Sequence, residues 1–276
     1  MKRLGVEIEF TGVKRIEVVN ALEFLFKTSA VEKTSKTTHD NYIYHKIVDT
    51  DGNDWTIKRD RSIKPQVYKY KVNSDCEDKF NIIDLSENDT EYMVELVSPV
   101  LTSKTLPTLF TIIDVINSIG GIVNKSCGIH VHIDALPVED VVILMKRFIL
   151  EQDEILDKFQ VADNRRVRYC KPYDTSIEIP NFTSLFNFMT WLWENYRDME
   201  VDAEVGLMFS KSLRYYALNF YSLMSHDTIE YRLFNATLDK AEVVNILKWV
   251  LNFTYPHEQT DTMRLVLENI LLKELG

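Results

Sequence analysis

The chain has 276 residues, 45% of them hydrophobic and 27% charged, the make-up of an ordinary globular protein. A formal net charge of −10 argues against a nucleic-acid backbone or an anionic membrane as the main partner. Cys76, Cys127 and Cys170 form no CxxC pair, which argues against a disulfide framework and for a reducing compartment. Residues 3–11 alternate as a strand, and the apolar spacing of RIEVVNALEFLFKTSA predicts a helix over 15–30. A polar stretch leads to YIYHKIV (42–48), the turn DTDGND and WTIKRD (55–60), together a hairpin signal. Further strands are expected at 66–72, 80–85 and 91–97. TSKTLPTLFTIIDVINSIG (102–120) reads as a helix with Thr102 or Ser103 as N-cap and Gly120 as stop. Pro107 moves its start toward Leu106. CGIHVHID (127–134) alternates as a strand, and Pro137 opens a long amphipathic helix over 137–159. A loop at 160–180, a helix at 181–197, strands at 213–221 and 228–236 and helices at 239–253 and 257–274 complete the chain.

The opening MKRLGVEIEF carries no signal-peptide core and no apolar run reaches the length of a membrane span, so a cytoplasmic protein is expected. Strands come in bursts with helices between only some of them. That pattern predicts an α+β fold in one domain over residues 1–276: a mainly antiparallel sheet with a polar face and helices packed on the other.

Four strands alternate in the same way. Val6, Ile8 and Phe10 lie opposite Glu7 and Glu9; Tyr92, Val94 and Leu96 lie opposite Glu91, Met93 and Glu95. Ile129, Val131 and Ile133 lie opposite His130, His132 and Asp134; Ile229, Tyr231 and Leu233 lie opposite Glu230 and Arg232. A strand that merely turns to water usually mixes in Thr, Ser and Lys, whereas these positions hold carboxylates and imidazoles. If the four are neighbours, the carboxylates repel one another until a divalent cation joins them. Carboxylates with one or two histidines and no thiolates suit Mg²⁺ or Mn²⁺, and Mg²⁺ commonly bridges to phosphates, which points to a nucleotide. No GxxxxGK[ST] loop and no GxGxxG is present, so metal ions and arginines would have to hold those phosphates.

GVEIEF, WTIKRDRSI, EYMVELVSPVL, CGIHVHID, RYYALNFYS and TIEYRLFNATLD stand in an order and spacing that resembles the amidoligase family, from about residue 3 to about residue 245. That family resembles a branch of the glutamine synthetase and glutamate–cysteine ligase superfamily of carboxylate–amine ligases. The resemblance implies a curved antiparallel sheet with helices on its outer face, and ATP with Mg²⁺ or Mn²⁺ as cofactors. It implies metal ligands at Glu7, Glu9, Glu95, His130 and Glu230, with His132 and Arg232 turned to the ATP phosphates. Arg165, Arg214 and Asn219 match positions that look like substrate or phosphate contacts. The family's usual Asp-Gly-Ser is here Asp60-Arg61-Ser62, a departure that leaves the contacts of Asp60 and Ser62 undecided.

The implied reaction is ATP-dependent joining of a carboxylate to an amine through an acyl phosphate. Arg232, His132 and Asp60 are its catalytic candidates; Asp60 and Asp134 are candidates for a general base, between which the sequence does not choose. Small-molecule or peptide substrates are expected, with no nucleic acid and no membrane. The amphipathic C-terminal LVLENILLKELG leaves a homo-oligomer open. Two other classes compete: a zinc or iron hydrolase, because HxHxD on a strand suits those metals, and a non-catalytic module that binds a nucleotide or a protein. WLWENY (191–196) is assigned to core packing. RRVRY (165–169) is either a contact for an anion or a solvated loop.

Overall fold

Alternating side chains give a strand two chemically distinct faces, and the fold is built by laying such strands edge to edge. The computed structural model describes residues 2–36, 41–71, 79–198, 212–257 and 262–275; Cys76 and His39 lie outside the described residues. Eight strands form one sheet: β1 (Leu4–Phe10), β2 (Val31–Lys36), β3 (Asn41–Val48), β4 (Asp54–Lys58), β7 (Val94–Val97), β8 (Gly128–Asp134), β9 (Leu218–Asn219) and β10 (Thr228–Asn235). A separate hairpin pairs β5 (Gln66–Lys71) with β6 (Lys79–Asp84). The sheet runs β2-β3-β4-β7-β1-β8-β10-β9, and its strand pairs are antiparallel. The four alternating strands are therefore consecutive neighbours, as their shared polar face requires.

The opposite face is apolar. Ile8, Trp55, Leu96, Val131 and Tyr231 are fully buried there in one cluster. Apolar residues of α1 (Arg15–Phe26), α2 (Leu106–Ser118), α3 (Val138–Lys158) and α7 (Lys240–Thr254) join that cluster, as do Phe188 and Leu192 of α5 (Leu185–Tyr196). Each buried Leu, Ile, Val or Phe contributes about 1.5–3 kcal/mol, and this is the main term holding sheet and helices together. Side-chain caps set two helix starts: Ser184 accepts from the Asn187 amide at 3.2 Å, and Asp239 from the Glu242 amide at 3.0 Å. No helix is long and apolar enough, among the described residues, to cross a membrane.

Several elements differ from the expectation. The first helix stops at Phe26, because Lys27 turns left-handed at φ 56° and releases the chain into β2. VEKTSK, read as a polar stretch, forms β2: at the sheet edge it needs only backbone pairing with β3 and buries little. The strand expected from residue 91 begins at Val94; Thr90–Tyr92 is a 3-10 turn, so Glu91 leaves the polar face and pairs with Lys14 at 2.8 Å. Within the expected loop 160–180, Asp163–Arg168 folds as α4. Of the strand expected at 213–221, Leu218–Asn219 pairs with Tyr231 and Glu230, and Tyr216 makes an isolated bridge to Lys171. Ser212–Tyr215 is a 3-10 turn, and α6 (Ser222–His226) takes over after it. The last helix, α8, spans Thr262–Leu275.

The hairpin between β3 and β4 is closed by one carboxylate. Asp49 accepts from the Asp51 amide at 3.0 Å, the Asn53 amide at 2.9 Å and the buried Trp55 Nε1 at 3.0 Å. Burial alone would raise Asp49, but the bonds from Trp55 and Asn53 outweigh it and lower its pKa. Its contribution is thus full above the ordinary carboxylate range and fades as pH falls through its lower folded value. Asp49→Ala leaves the indole N–H unpaired in the core and should cost roughly 2–3 kcal/mol by urea unfolding at pH 7.

Candidate active site

Strand register assembles the polar face row by row. Lys58 on β4 pairs with Glu95 on β7, and Glu95 with Glu9 on β1. Glu7 on β1 faces His130 on β8; His132 faces Glu230 on β10, which faces Asn219 on β9. Directly opposed residues place their Cβ atoms about 4.5–5.5 Å apart, close enough for one shared polar cluster. A β-bulge adds to it. Tyr231 pairs with Val131 and Phe234 with Ile129, so Arg232 and Leu233 share the space opposite one residue.

The contacts are dense. His130 Nδ1 lies 3.0 Å from Glu7 Oε2 and 3.4 Å from Glu230 Oε1, and its Nε2 lies 3.7 Å from Glu9 Oε1. His132 Nδ1 bonds Thr228 at 3.0 Å, while its Nε2 lies 3.9 Å from both Glu7 and Glu230. Asn219 donates to Glu230 Oε2 at 2.6 Å, and Arg232 donates to the other oxygen of the same carboxylate. Glu9 accepts from the Gly128 amide at 2.7 Å and lies 3.9 Å from the buried Arg165 guanidinium. Lys58 Nζ sits 3.1 Å from Glu95 and 3.7 Å from Glu7.

Burial and these charges move the proton affinities apart. Burial would lift Glu7, yet the Lys58 charge and the bond to His130 hold it well below the carboxylate range. Burial also opposes the lowering of Glu230, and Arg232 followed by His130 outweighs it. Glu9 is pushed up to about 8 by burial and then by Asp60, against the pull of Arg165. Burial and the Glu7 charge raise Glu95, with Lys58 opposing. His130 falls to about 4 through burial and then Arg232, so its ring is neutral at pH 7. With its Nδ1–H given to Glu7, Nε2 keeps a free lone pair.

Among the described residues, three sets each bring one donor atom apiece within 4.8 Å of one another: Glu7–Glu95–His130, Glu7–His132–Glu230 and Glu9–Asp60–Glu95. All five predicted metal ligands are in them, joined by His132 and Asp60. The carboxylates Glu7, Glu9, Asp60, Glu95 and Glu230 outnumber the fixed cations Lys58, Arg165 and Arg232. Fully ionised, such a cluster lacks the positive charge that a divalent ion supplies. Oxygen-rich donors with imidazole and no thiolate fit Mg²⁺ or Mn²⁺.

The family model described as "Putative amidoligase enzyme" matches residues 1–254, from before β1 to the last residue of α7. The chain belongs to the amidoligase family. A comparison with curated proteins finds no match.

Other expected residues of this amidoligase fall where the contacts place them. Asp60 Oδ1 accepts from the Ser62 amide and hydroxyl, both at 2.6 Å, in the Asp-Arg-Ser turn. Asp134 is held at the far end of β8 by Arg3, at 2.7 Å. Arg214 stands apart, exposed on its 3-10 turn with its guanidinium 5.7 Å from the Tyr215 ring centre. RRVRY divides: Arg165 is buried in the cluster, while Arg166 bonds Val161, Leu156 and Asp157 outside it. Cys127 is buried, and burial pushes its thiol up to about 12, which removes it as a nucleophile. WLWENY packs as expected, with Leu192 and Tyr196 in the core. Lys58 joins the face from β4, outside the four strands that carry the carboxylates and imidazoles; the alternation of Trp55 and Ile57 against Thr56 and Lys58 is its signal in the sequence.

Open space adjoins the cluster. A cavity of about 240 Å³ has Glu7, His132, Gly5, Val97, Val100 and His226 in its wall. A larger one of about 1160 Å³ opens by α4 and the 123–126 loop and is lined by none of the cluster residues. Glycine at 128 makes the cluster possible, because a Cβ there would lie 2.2 and 2.4 Å from the Arg165 guanidinium nitrogens. Gly128→Ala should therefore push Arg165 off the Arg232 carbonyl it bonds at 2.8 Å. The expected loss is about 1–3 kcal/mol in urea unfolding.

Proposed function

We propose that this amidoligase joins a carboxylate to an amine with ATP, through an acyl phosphate, on a glutamine synthetase-like fold spanning residues 1–276 as one catalytic domain. The observation that carries the reading is the convergence of Glu7, Glu9, Glu95, His130, His132, Glu230 and Arg232 on one sheet face inside the family match. A carboxylate has a poor leaving group, and phosphorylation replaces it with a good one. In the first step a substrate carboxylate oxygen attacks the γ-phosphorus and ADP leaves. In the second the amine attacks the acyl carbon and inorganic phosphate leaves.

Glu7, Glu9, Glu95, His132, Asp60 and Glu230, with His130 beside them, would hold Mg²⁺ or Mn²⁺, which would supply charge to neutralise the triphosphate. The protein's own part is positioning and fixed charge, which dominate phosphoryl transfer. Arg232 gives one side of its guanidinium to Glu230 and keeps further N–H donors for the oxygens of the transferred group. Asn219 and Arg232 together fix both oxygens of Glu230, so that carboxylate meets its ligand without reorganising. The cavity beside Glu7 and His132, largely apolar in its wall, is suited to part of a small-molecule or peptide substrate.

ADP release across a library of carboxylate and amine pairs tests the reaction. One pair should stimulate release in Mg²⁺ or Mn²⁺. Glu7→Ala and Glu230→Ala should lower that rate by at least about 10²-fold while far-UV circular dichroism stays unchanged. Full activity in either variant would refute the assignment of the cluster, and no stimulation by any pair would favour a binding module.

A further inference from the structure

Lys58 stands where the cluster's geometry asks for an ion. Its ammonium lies 3.1 Å from Glu95 Oε2 and 3.7 Å from Glu7 Oε1. Those two carboxylates are the oxygen donors of the Glu7–Glu95–His130 set. A divalent ion bound there would sit against a second positive charge at contact range, in a partly buried site. The lysine is also fixed in register. Lys58 faces Glu95 across β4 and β7, while Trp55 and Ile57 are buried on the other face, so a slip that turned Lys58 away would expose both.

We propose that Lys58 is a built-in cation that replaces a divalent ion between Glu7 and Glu95. This leaves the amidoligase two ion positions, at Glu7–His132–Glu230 and at Glu9–Asp60–Glu95, and leaves His130 to hold Glu7 rather than an ion. The inference rests on the metal-dependent reading above and settles how many of the three sets are used. One consequence is asymmetric: a chelator strips the two ions but cannot strip the third charge, so the Lys58 side of the cluster remains compensated in the metal-free protein.

Counting Mn²⁺ bound to the whole chain, by native mass spectrometry and by equilibrium dialysis, tests this. The wild type should bind two ions and Lys58→Met three, since methionine keeps the length of the side chain and removes its charge. Lys58→Arg should keep two. After chelation Lys58→Met should melt below the wild type, and Mn²⁺ should raise its Tm by more than it raises that of the wild type. This second comparison holds even if the metal-free variant is largely unfolded. Equal, non-zero ion counts with equal Mn²⁺ shifts in Tm would overturn the role of Lys58 and leave the ligase reading standing. Three ions in the wild type would do the same. Absence of Mn²⁺ binding in every protein would overturn both.

Discussion

Carboxylates gather in a low-dielectric interior only where something offsets both their lost hydration and their mutual repulsion. Glu7, Glu9, Glu95 and Glu230 lie on adjoining strands with Asp60 beside them, and the remaining architecture of the face answers that constraint. Each compensating group comes from a different place in the chain. The Gly128 amide and Arg165 serve Glu9, Lys58 serves Glu95 and Glu7, and Arg232 with Asn219 serves Glu230. The compensation is incomplete, as the upward shift of Glu9 shows.

The same sheet supplies the rigidity that such a site needs. On the far side of the strands Ile8, Val131, Tyr231, Leu96 and Trp55 are locked into the core with the helices. Any sliding of a strand would carry charged residues into that core, so register and the geometry of the polar cluster are one and the same constraint. Burying the cluster weakens the fold locally, and the apolar face and turn anchors such as Asp49 offset it. The bulge in β10 shows the two demands meeting: one extra residue admits Arg232 beside Glu230 while Leu233 and Phe234 remain buried.

Alternation made much of this legible. GVEIEF, CGIHVHID and TIEYRLF each state their two faces in a period of two, and they prove to be adjacent strands. What alternation does not state is long-range company. Arg165 enters the cluster from a six-residue helix in a stretch that reads as a loop, and only the missing side chain at Gly128 makes room for it. Lys58 is harder to see because WTIKRD signals itself as one arm of a hairpin, although Trp55 and Ile57 already set the face of Lys58. Edge strands are the hardest: β2 is polar after Val31 and β9 only two residues long, so neither has an apolar period to read. Glu91 was placed on the sheet by extending a true period past its end, where a 3-10 turn interrupts it.

The central claim is that this carboxylate face receives a metal-bound nucleotide. Titration of ATP into the protein by isothermal calorimetry, with and without Mg²⁺, measures that directly. The account predicts ATP binding that requires Mg²⁺ or Mn²⁺ and is lost in Glu230→Gln. Tight zinc binding with no affinity for ATP under either ion would contradict it and point to a metal-dependent hydrolase.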